Sequence, residues 1–195
     1  MANKTCRPLD EEGKEFEEIL CCLKNGYTTK DGVKRRGNQF IAFSFFLEGT
    51  IGLRVSDCVR LELQNFEIRN KNEVYLHIKE KKTGKVKNLY IPREIYDTIL
   101  DFCISNNIGK KEKIVKVGIR AIQKSLQNVA NHLDLGDSVG THSCRKTFCN
   151  IAAKKVPLQT VQAIMMHSSI ATTRRYISVN SPDIIEAMEI NIKKY

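Results

Sequence analysis

Apolar residues recur at helical spacing over most of the chain. The first stripe, Phe16, Ile19, Leu20 and Leu23, has the i, i+3, i+4, i+7 pattern of an amphipathic helix, which we predict over 9–25. Later stretches repeat this spacing or are apolar almost throughout, and several are bounded by a proline, a glycine or a capping serine. Further helices are predicted at 38–48, at 56–61, from Pro92 onwards, and at 118–134, 142–154, 157–166 and 182–193.

The hydrophobic period changes from helical to alternating in the middle of the chain. Apolar and polar residues alternate over 73–80, and a second short strand is predicted at 87–92, across a turn around Gly84. A third strand can pair at 65–69, whereas 27–37 is predicted to be a polar, basic loop. The predicted fold class is therefore mainly α with a small antiparallel β-sheet, an α+β arrangement.

The chain carries a strong excess of positive charge. Its 195 residues include 32 Lys and Arg against 22 Asp and Glu, a formal net charge of +10. This excess favours an anionic partner, with nucleic acid first and an anionic membrane second. The longest apolar-rich run, 40–47, is far shorter than the ~20 residues that a membrane-spanning helix needs. We therefore expect one domain in the cytoplasm, since the N-terminal stretch has no apolar core of a secretion signal.

Seven cysteines are spread along the chain without a C-x-x-C motif. In a chain of this length the pattern predicts reduced thiols rather than a disulfide scaffold, with several cysteines serving as small core residues. A metal site built from His142, Cys144, Cys149 and His167 is disfavoured, because their spacings do not match the usual zinc patterns. We therefore predict neither a metal nor another cofactor, and we interpret Cys144 as a core contact.

Ten residues near the C-terminus, HSSIATTRRY at 167–176, point to chemistry rather than to packing. A phenol titrates at about pH 10, so Tyr176 is a poor nucleophile unless cations and a proton acceptor surround it. Attack on a phosphodiester needs arginine forks for the phosphate oxygens, and a lysine or histidine that protonates the leaving oxygen. The chain supplies such groups in the order Arg54, Lys82, His142, Arg145, His167 and Tyr176.

Other polar residues near these positions are given supporting or structural roles. Asp57 follows Arg54 by three residues and can anchor a nearby backbone or guanidinium group. His77 and His132 fall on a predicted strand and a predicted helix without apparent partners. We therefore interpret these two histidines as structural or exposed.

Four sequence motifs, in this order, resemble the catalytic domain of the tyrosine recombinases, the family of phage integrases, Xer-type resolvases and Cre-like enzymes. They are G-L-R-x-S-[DE] at 52–57, K-T-G at 82–84, H-x-x-R at 142–145 and H-[SR]-S-I-x-T-T-x-x-Y at 167–176. The last motif is the most specific, and the set covers most of the chain. The resemblance implies the tyrosine recombinase catalytic-domain fold.

The resemblance also implies a role for each matched residue. Arg54 and Arg145 would clamp the scissile phosphate, and Lys82 would protonate the departing 5′ hydroxyl. Tyr176 would form a covalent 3′-phosphotyrosyl link that stores the bond energy, so that strands are exchanged and religated without ATP or a metal ion.

Two histidines and a choice among lysines complete the implied site. The resemblance makes His142 a general acid/base near the tyrosine and His167 a hydrogen-bond donor to the phosphate. Lys81 and Lys85 flank Lys82 in the sequence, so the acid can be any of the three; Lys82 is preferred because K-T-G matches the turn of the family.

The domain organisation is expected to be a single catalytic domain over 1–195. Family members usually carry an N-terminal core-binding domain, which this sequence lacks. The chain is then either a piece of a longer protein, which we favour, or similar to the short single-domain members that resemble the fimbrial invertases. Residues 181–195 carry an apolar stripe that either packs on its own domain or docks on a neighbouring subunit in a tetramer, as the family implies.

The predicted function is site-specific recombination of double-stranded DNA (integration, excision or inversion) by a bacterial or mobile-element enzyme, for example one from a phage. A catalytically inactive DNA-binding regulator derived from a recombinase is the first alternative, but it is expected to have lost site residues, and all six are present. A type IB topoisomerase is the second alternative; it shares the nucleophile and arginines but gives no reason for a terminal docking helix.

Overall fold

The computed structural model describes residues 6–10, 12–79, 84, 86–136 and 138–165, and within them the chain forms seven α-helices, a two-stranded sheet and a three-stranded sheet. The structure confirms the predicted class, mainly α with antiparallel strands. The helices are α1 Lys14–Asn25, α2 Gln39–Thr50, α3 Val55–Cys58, α4 Arg93–Ser105, α5 Ile119–His132, α6 Thr141–Lys155 and α7 Leu158–Met165. The strands are β1 Gly26–Thr28, β2 Lys34–Arg36, β3 Phe66–Ile68, β4 Val74–Lys79 and β5 Val86–Ile91.

Helix α2 is the centre of the hydrophobic core. Its residues 41–50 are all buried, which agrees with the nearly continuous apolar run. Phe43 stacks on Phe102 of α4 with a ring-centroid distance of 3.7 Å, and Phe45 stacks on Phe16 of α1 at 5.1 Å. Gly49 allows α1 to approach, because a Cβ at this position would lie 2.4 Å from the Phe16 ring. The apolar stripe of α1 thus packs directly on α2.

The three-stranded sheet has the antiparallel order β3–β4–β5. Phe66 pairs with Leu76, and Val74 pairs with Ile91, so the predicted third strand is confirmed. Val74, Leu76 and Ile78 are buried, as their alternation predicts for strand residues that face a core. The β4–β5 connection contains Gly84 in the left-handed region, with φ of +68°, at the predicted turn.

The predicted start of the first helix is wrong by five residues. Helix α1 begins at Lys14 rather than at residue 9, because Gly13 has a φ of +80° that no helix contains. The Asp10 carboxylate accepts hydrogen bonds from the backbone N–H groups of Lys14 and Glu15, at 3.1 and 3.0 Å. Asp10 therefore satisfies donors at the helix N-terminus from outside the helix.

The boundaries of the next two helices also differ from the prediction. Helix α2 continues through Gly49 to Thr50 instead of ending at residue 48. Gly49 does not end the helix; it is a glycine because the Phe16 ring of α1 leaves no room for a side chain there. The third helix, predicted to begin at Ser56, begins at Val55 instead, since Arg54 holds the cap position with extended backbone angles. Helix α3 then ends at Cys58, earlier than the predicted Leu61.

Tertiary contacts correct the predicted loop at 27–37 and supply partners for two histidines that showed none in the sequence. The predicted loop at 27–37 contains the antiparallel hairpin β1–β2. His77 is not without partners, because its ring nitrogens lie 2.8 Å from Asn88 Oδ1 and 2.7 Å from Glu67 Oε2. His132 stacks on Tyr27 with a centroid distance of 4.3 Å. Sequence spacing did not indicate these contacts because each joins separate elements.

The remaining helix predictions agree with the structure to within a few residues for α4, α5, α6 and α7. The helix predicted at 182–193 lies outside the described residues. No helix in the described ranges combines the length and apolar character that a membrane crossing requires.

Candidate active site

Arg54 lies where the chain leaves the end of α2 and turns into α3. It is the N-cap residue of α3, and its carbonyl accepts hydrogen bonds from the N–H groups of Asp57, at 2.8 Å, and Cys58, at 3.0 Å. Its side chain is half-buried, between the buried Leu53 and the buried Val55. The short helix therefore fixes the backbone from which the Arg54 guanidinium projects.

Arg145 is brought to the same place from α6. Its side chain is only 6% exposed, and its Nη1 donates a hydrogen bond to the carbonyl oxygen of Gly52, two residues before Arg54. The ring of Phe148, one turn further along α6, packs on Gly52, where a Cβ would lie 2.8 Å from it. The structure thus holds Arg145 against the backbone segment that carries Arg54, the other arginine of the phosphate clamp that the resemblance implies.

His142 stands in the first turn of α6, three residues before Arg145, as the H-x-x-R motif requires. Ser143 stabilises this end, because its Oγ accepts a hydrogen bond of 3.0 Å from the N–H of Gly140 and its own N–H donates to the Gly140 carbonyl at 2.8 Å. His142 is exposed, whereas Arg145 is buried. The imidazole is therefore open to solvent while the guanidinium is held in the protein.

Asp57 anchors a guanidinium, as predicted, and that guanidinium belongs to Arg60. Arg60 Nη2 donates to Asp57 Oδ1 at 2.9 Å and to the carbonyl oxygen of Lys79 at 2.8 Å. Lys79 is the last residue of β4, so this pair joins α3 to the base of the β4–β5 hairpin. This contact joins the Arg54 segment to the hairpin whose connecting sequence contains Lys82.

Glu48 is a residue near the arginine pair that sequence reasoning missed. Its side chain is 1% exposed on α2, and Ser44 Oγ donates a long hydrogen bond of 3.4 Å to its Oε1. Burial raises the pKa of the Glu48 carboxyl well above its usual range, although the Ser44 hydrogen bond and the charge of Arg145 oppose this rise. The signal was present in the sequence, as a lone acid inside an apolar run.

Two buried thiols lie around the same carboxyl group. Burial raises the pKa of both Cys58 and Cys144 well above the ordinary range, and the negative field of an ionised Glu48 raises both further. These thiols are therefore protonated at neutral pH and act as small core side chains, which confirms the interpretation of Cys144. All seven cysteines are free.

Lys82, His167 and Tyr176 lie outside the described residues, as do the alternative acids Lys81 and Lys85. The arrangement described above thus contains Arg54, His142 and Arg145 of the six predicted site residues. Among the described residues, no group of three His, Cys, Asp or Glu side chains is placed to hold a metal ion.

A cavity of about 740 Å³ opens beside α3. It is lined by the basic residues Arg60, Lys113 and Lys116, together with apolar side chains that include Val59 and Ile119. Neither Arg54 nor Arg145 lines this cavity, so it is separate from the arginine pair.

A family model described as "Phage integrase family" matches residues 39–182, which include α2 through α7 and both arginines. The chain belongs to the phage integrase family. These proteins are tyrosine recombinases, so the match confirms the resemblance found in the motifs. Hairpin β1–β2, which precedes residue 39, lies outside the matched region.

Individual members of the integrase family agree with this assignment. Tyrosine recombinase XerA of Pyrococcus furiosus is 24% identical over 92% of the chain and 59% of its own length. Tyrosine recombinase XerC of a Methylobacterium strain is 31% identical over 36% of the chain and 22% of its own length. A crystal structure of XerA recombinase superposes with a TM-score of 0.56 at 14% identity, over 92% of the chain and 63% of that structure, which supports the fold. The chain thus spans roughly three fifths of the length of XerA.

Gly52 is predicted to be irreplaceable for the arginine pair. Its φ of +71° disfavours any side chain, and a Cβ would also collide with Phe148. Gly136 has a similar φ of +77° but open space around it, so it is a matched control for backbone strain alone. In urea unfolding, the free energy of unfolding should fall by about 1–2 kcal/mol in Gly136→Ala. It should fall by distinctly more in Gly52→Ala. Equal losses would contradict a role for the Phe148 contact.

Glu48 is predicted to make stability depend on pH. A carboxyl whose pKa is raised in the folded state contributes stability below its ordinary pKa of 4.5, and this contribution is lost as the pH rises through the raised value. Glu48→Gln keeps the shape and removes the titration. The stability of Glu48→Gln relative to wild type should therefore increase by up to about 1.4 kcal/mol for each pH unit above 4.5, until Glu48 ionises.

Chemical denaturation at a series of pH values measures this difference. Glu112→Gln is the control, because Glu112 is an exposed carboxylate paired with Lys116 at 2.7 Å and its pKa is lowered. Its contribution has the opposite sign, present above its ordinary pKa and lost as the pH falls. A difference between wild type and Glu48→Gln that does not change with pH would mean that the Glu48 pKa is not raised.

Proposed function

We propose that this chain cleaves and religates double-stranded DNA in site-specific recombination, through a covalent 3′-phosphotyrosyl intermediate. The observation that carries the proposal is the hydrogen bond from Arg145 to Gly52, across 93 residues of sequence, which holds Arg145 against the segment that carries Arg54. Membership of the phage integrase family supports the same activity.

The arginine pair suits a phosphate whose charge grows during reaction. Two guanidinium groups can form forked hydrogen bonds to the non-bridging oxygens, and they stay charged at any pH that the protein tolerates. Arg145 is largely buried, so its interaction with a phosphate is screened less than that of a surface arginine. A preorganised positive site of this kind stabilises the pentavalent transition state more than the ground state.

The proposed chemistry moves two protons. Tyr176 Oη attacks the phosphorus while His142 accepts the phenolic proton, and the bond to the 5′ oxygen breaks as Lys82 donates a proton to that oxygen. His167 donates a hydrogen bond to the phosphate. Religation reverses these steps. Each step exchanges one phosphate ester bond for another, so the proposed reaction needs neither ATP nor a metal ion.

The proposal extends to assembly and location. We propose that residues 1–195 act as a catalytic domain, that 181–195 dock on a neighbouring subunit, and that a tetramer forms on paired DNA sites in the cytoplasm. The apolar stripe of residues 181–195 supports docking, since an amphipathic helix can bind in an apolar groove of a partner.

Tyr176→Phe is predicted to abolish covalent DNA adducts and to leave DNA binding nearly unchanged. The substitution removes one oxygen, whereas binding rests on phosphate contacts with basic side chains. A nicked suicide duplex that contains the recombination site traps the adduct, which gel shift, protease sensitivity and mass spectrometry then identify. Arg145→Ala should instead slow cleavage by roughly 10²–10³-fold, as for loss of one preorganised donor, and weaken binding too.

Two results would overturn this assignment of the nucleophile. One is an adduct mapped to a residue other than Tyr176, and the other is an adduct that persists in Tyr176→Phe. A protein that binds the site but forms no adduct with any substrate would be a DNA-binding regulator. Relaxation of supercoiled plasmid without strand exchange would indicate a topoisomerase.

Lys82→Ala is predicted to slow cleavage of ordinary DNA but not of DNA with a 5′-bridging sulfur. A thiolate leaves without protonation, so the modified substrate does not need the acid. Single-turnover cleavage of both substrates is compared for Lys82→Ala and for its neighbours Lys81→Ala and Lys85→Ala. Equal loss on both substrates for Lys82→Ala, with rescue in a neighbour, would move the acid to that neighbour.

A further inference from the structure

The hairpin β1–β2 is a compact structure between the first two helices. Its strands pair in register, with Gly26 opposite Arg36, Tyr27 opposite Arg35 and Thr28 opposite Lys34. Thr29 closes the turn, because its N–H donates to the Val33 carbonyl at 2.9 Å and its Oγ1 accepts from the Val33 N–H at 3.0 Å. The hairpin therefore presents its side chains on a defined backbone.

The base of the hairpin is tied closely to α1. A Cβ on Gly26 would lie 2.3 Å from the Arg35 carbonyl oxygen, and a Cβ on Gly37 would lie 2.2 Å from that of Lys24, so both positions require glycine. The N–H of Asn38 also donates to the carbonyl of Leu23 at 2.7 Å. Two backbone segments are thus in direct contact where the hairpin begins and ends.

The hairpin is also docked on the end of α5. Tyr27 stacks on His132, and Lys30 Nζ lies 2.7 Å from Asp134 Oδ2. Arg35 pairs with Tyr27 across the strands, so it lies on the same face as the tyrosine. This face is directed towards α5, which leaves the other face of the hairpin for contacts outside the domain.

The outward face is basic. Lys34 and Arg36 are both exposed and lie opposite the small residues Thr28 and Gly26, so their side chains are not covered by the partner strand. Two positions on one face of a strand are separated by about 6.8 Å. Among the ion pairs of the described residues, none involves Lys34 or Arg36. Asp31 is the only acidic residue between positions 24 and 36.

We propose that this face of the β1–β2 hairpin binds the phosphate backbone of double-stranded DNA, away from the phosphate that is cleaved. The proposal rests on the proposed function for the class of ligand. Cations on a rigid ribbon suit phosphate contacts, which position a protein on a duplex without reading its sequence. The hairpin is at the N-terminal end of α2 and the arginine pair at its C-terminal end, about 18 Å away along a helix of twelve residues.

The chemistry of the hairpin favours duplex DNA over other anionic surfaces. Binding in a membrane interface needs exposed aromatic or large aliphatic anchors, and Val33 is the only such residue exposed on the hairpin. Single-stranded nucleic acid is bound through aromatic stacking, yet Tyr27 is already stacked on His132. The hairpin thus offers charge without a stacking surface.

The test compares two double variants of the full chain, both in a Tyr176→Phe background that prevents covalent products. Lys34→Gln/Arg36→Gln removes the outward cations. Lys71→Gln/Lys111→Gln is the matched control, because it lowers the net charge equally at two exposed lysines on other segments, Lys71 in the β3–β4 turn and Lys111 between α4 and α5. Fluorescence anisotropy measures affinity for a duplex of arbitrary sequence from 50 to 300 mM NaCl, and thermal melts check folding.

Each phosphate contact contributes about 0.9 to the slope of log K against log salt, so the hairpin variant should lose about 1.8 from this slope and several-fold in affinity. The control should change the slope by much less. An equal change in both variants, or no change in either, would overturn the proposal. So would loss of binding to vesicles containing phosphatidylserine with unchanged binding to DNA, which would make the ligand a membrane.

The outcome is distinguishable from failure of the proposed function. Adduct formation on suicide DNA depends on Tyr176 and the arginine pair, whereas the salt slope is measured without any cleavage. A slope change without adducts in the wild type would leave the hairpin assignment standing, and adducts with an unchanged slope would leave only the proposed function standing.

Discussion

The hydrogen bond from Arg145 to the Gly52 carbonyl is the interaction on which the site depends. A buried guanidinium is costly unless its donors are satisfied, so this contact fixes both the arginine and the backbone that it meets. Gly52 can take part only because it has no side chain, with a φ of +71° and the Phe148 ring against it. The same few atoms therefore define the end of α2, the start of α3 and the position of α6.

The surroundings of this contact preserve positive charge. Arg145 lies near Glu48, Cys58 and Cys144, all of which are fully buried. Burial favours the neutral form of each acidic group, which weakens the negative charge that the carboxyl and the thiols place near the guanidinium. This tendency suits the proposed phosphate clamp, and the buried Asp57 carboxylate nearby is paired with Arg60.

The β3–β4–β5 sheet and the β1–β2 hairpin are attached to different helices of the core. Arg60 links α3 to the end of β4 through Asp57 and the Lys79 carbonyl, which ties the sheet to the Arg54 segment. The hairpin β1–β2 lies outside the part of the chain that the family match covers. It is tied instead to α1 through backbone contacts and to α5 through the stacking of Tyr27 on His132. The region that the family match covers and the hairpin outside it are thus attached to one helical core. Helix α2 begins next to the hairpin and ends next to the Arg54 segment.

Sequence alone determined the family, the fold class and most of the helices. Periodic apolar stripes such as that of α1 depend on local spacing, and motifs such as H-x-x-R keep two candidate site residues one helical turn apart, so both are visible along the chain. The β3–β4–β5 sheet was visible for the same reason, through alternation of buried and exposed residues. Local boundaries were less certain, since the φ of Gly13 and the cap at Arg54 depend on the backbone rather than on residue type.

Tertiary structure decided which of those local features meet. The proximity of Arg54 and Arg145 comes from packing of α6 on α2, and the Glu48 pKa comes from burial, which a lone acid in an apolar run only hints at. The segment 27–37 was predicted to be a loop because apolar and polar residues do not alternate along it. It forms a hairpin because Gly26 and Gly37 allow close backbone contacts and Tyr27 stacks on His132. Such contacts join residues far apart in sequence, and no local pattern encodes them.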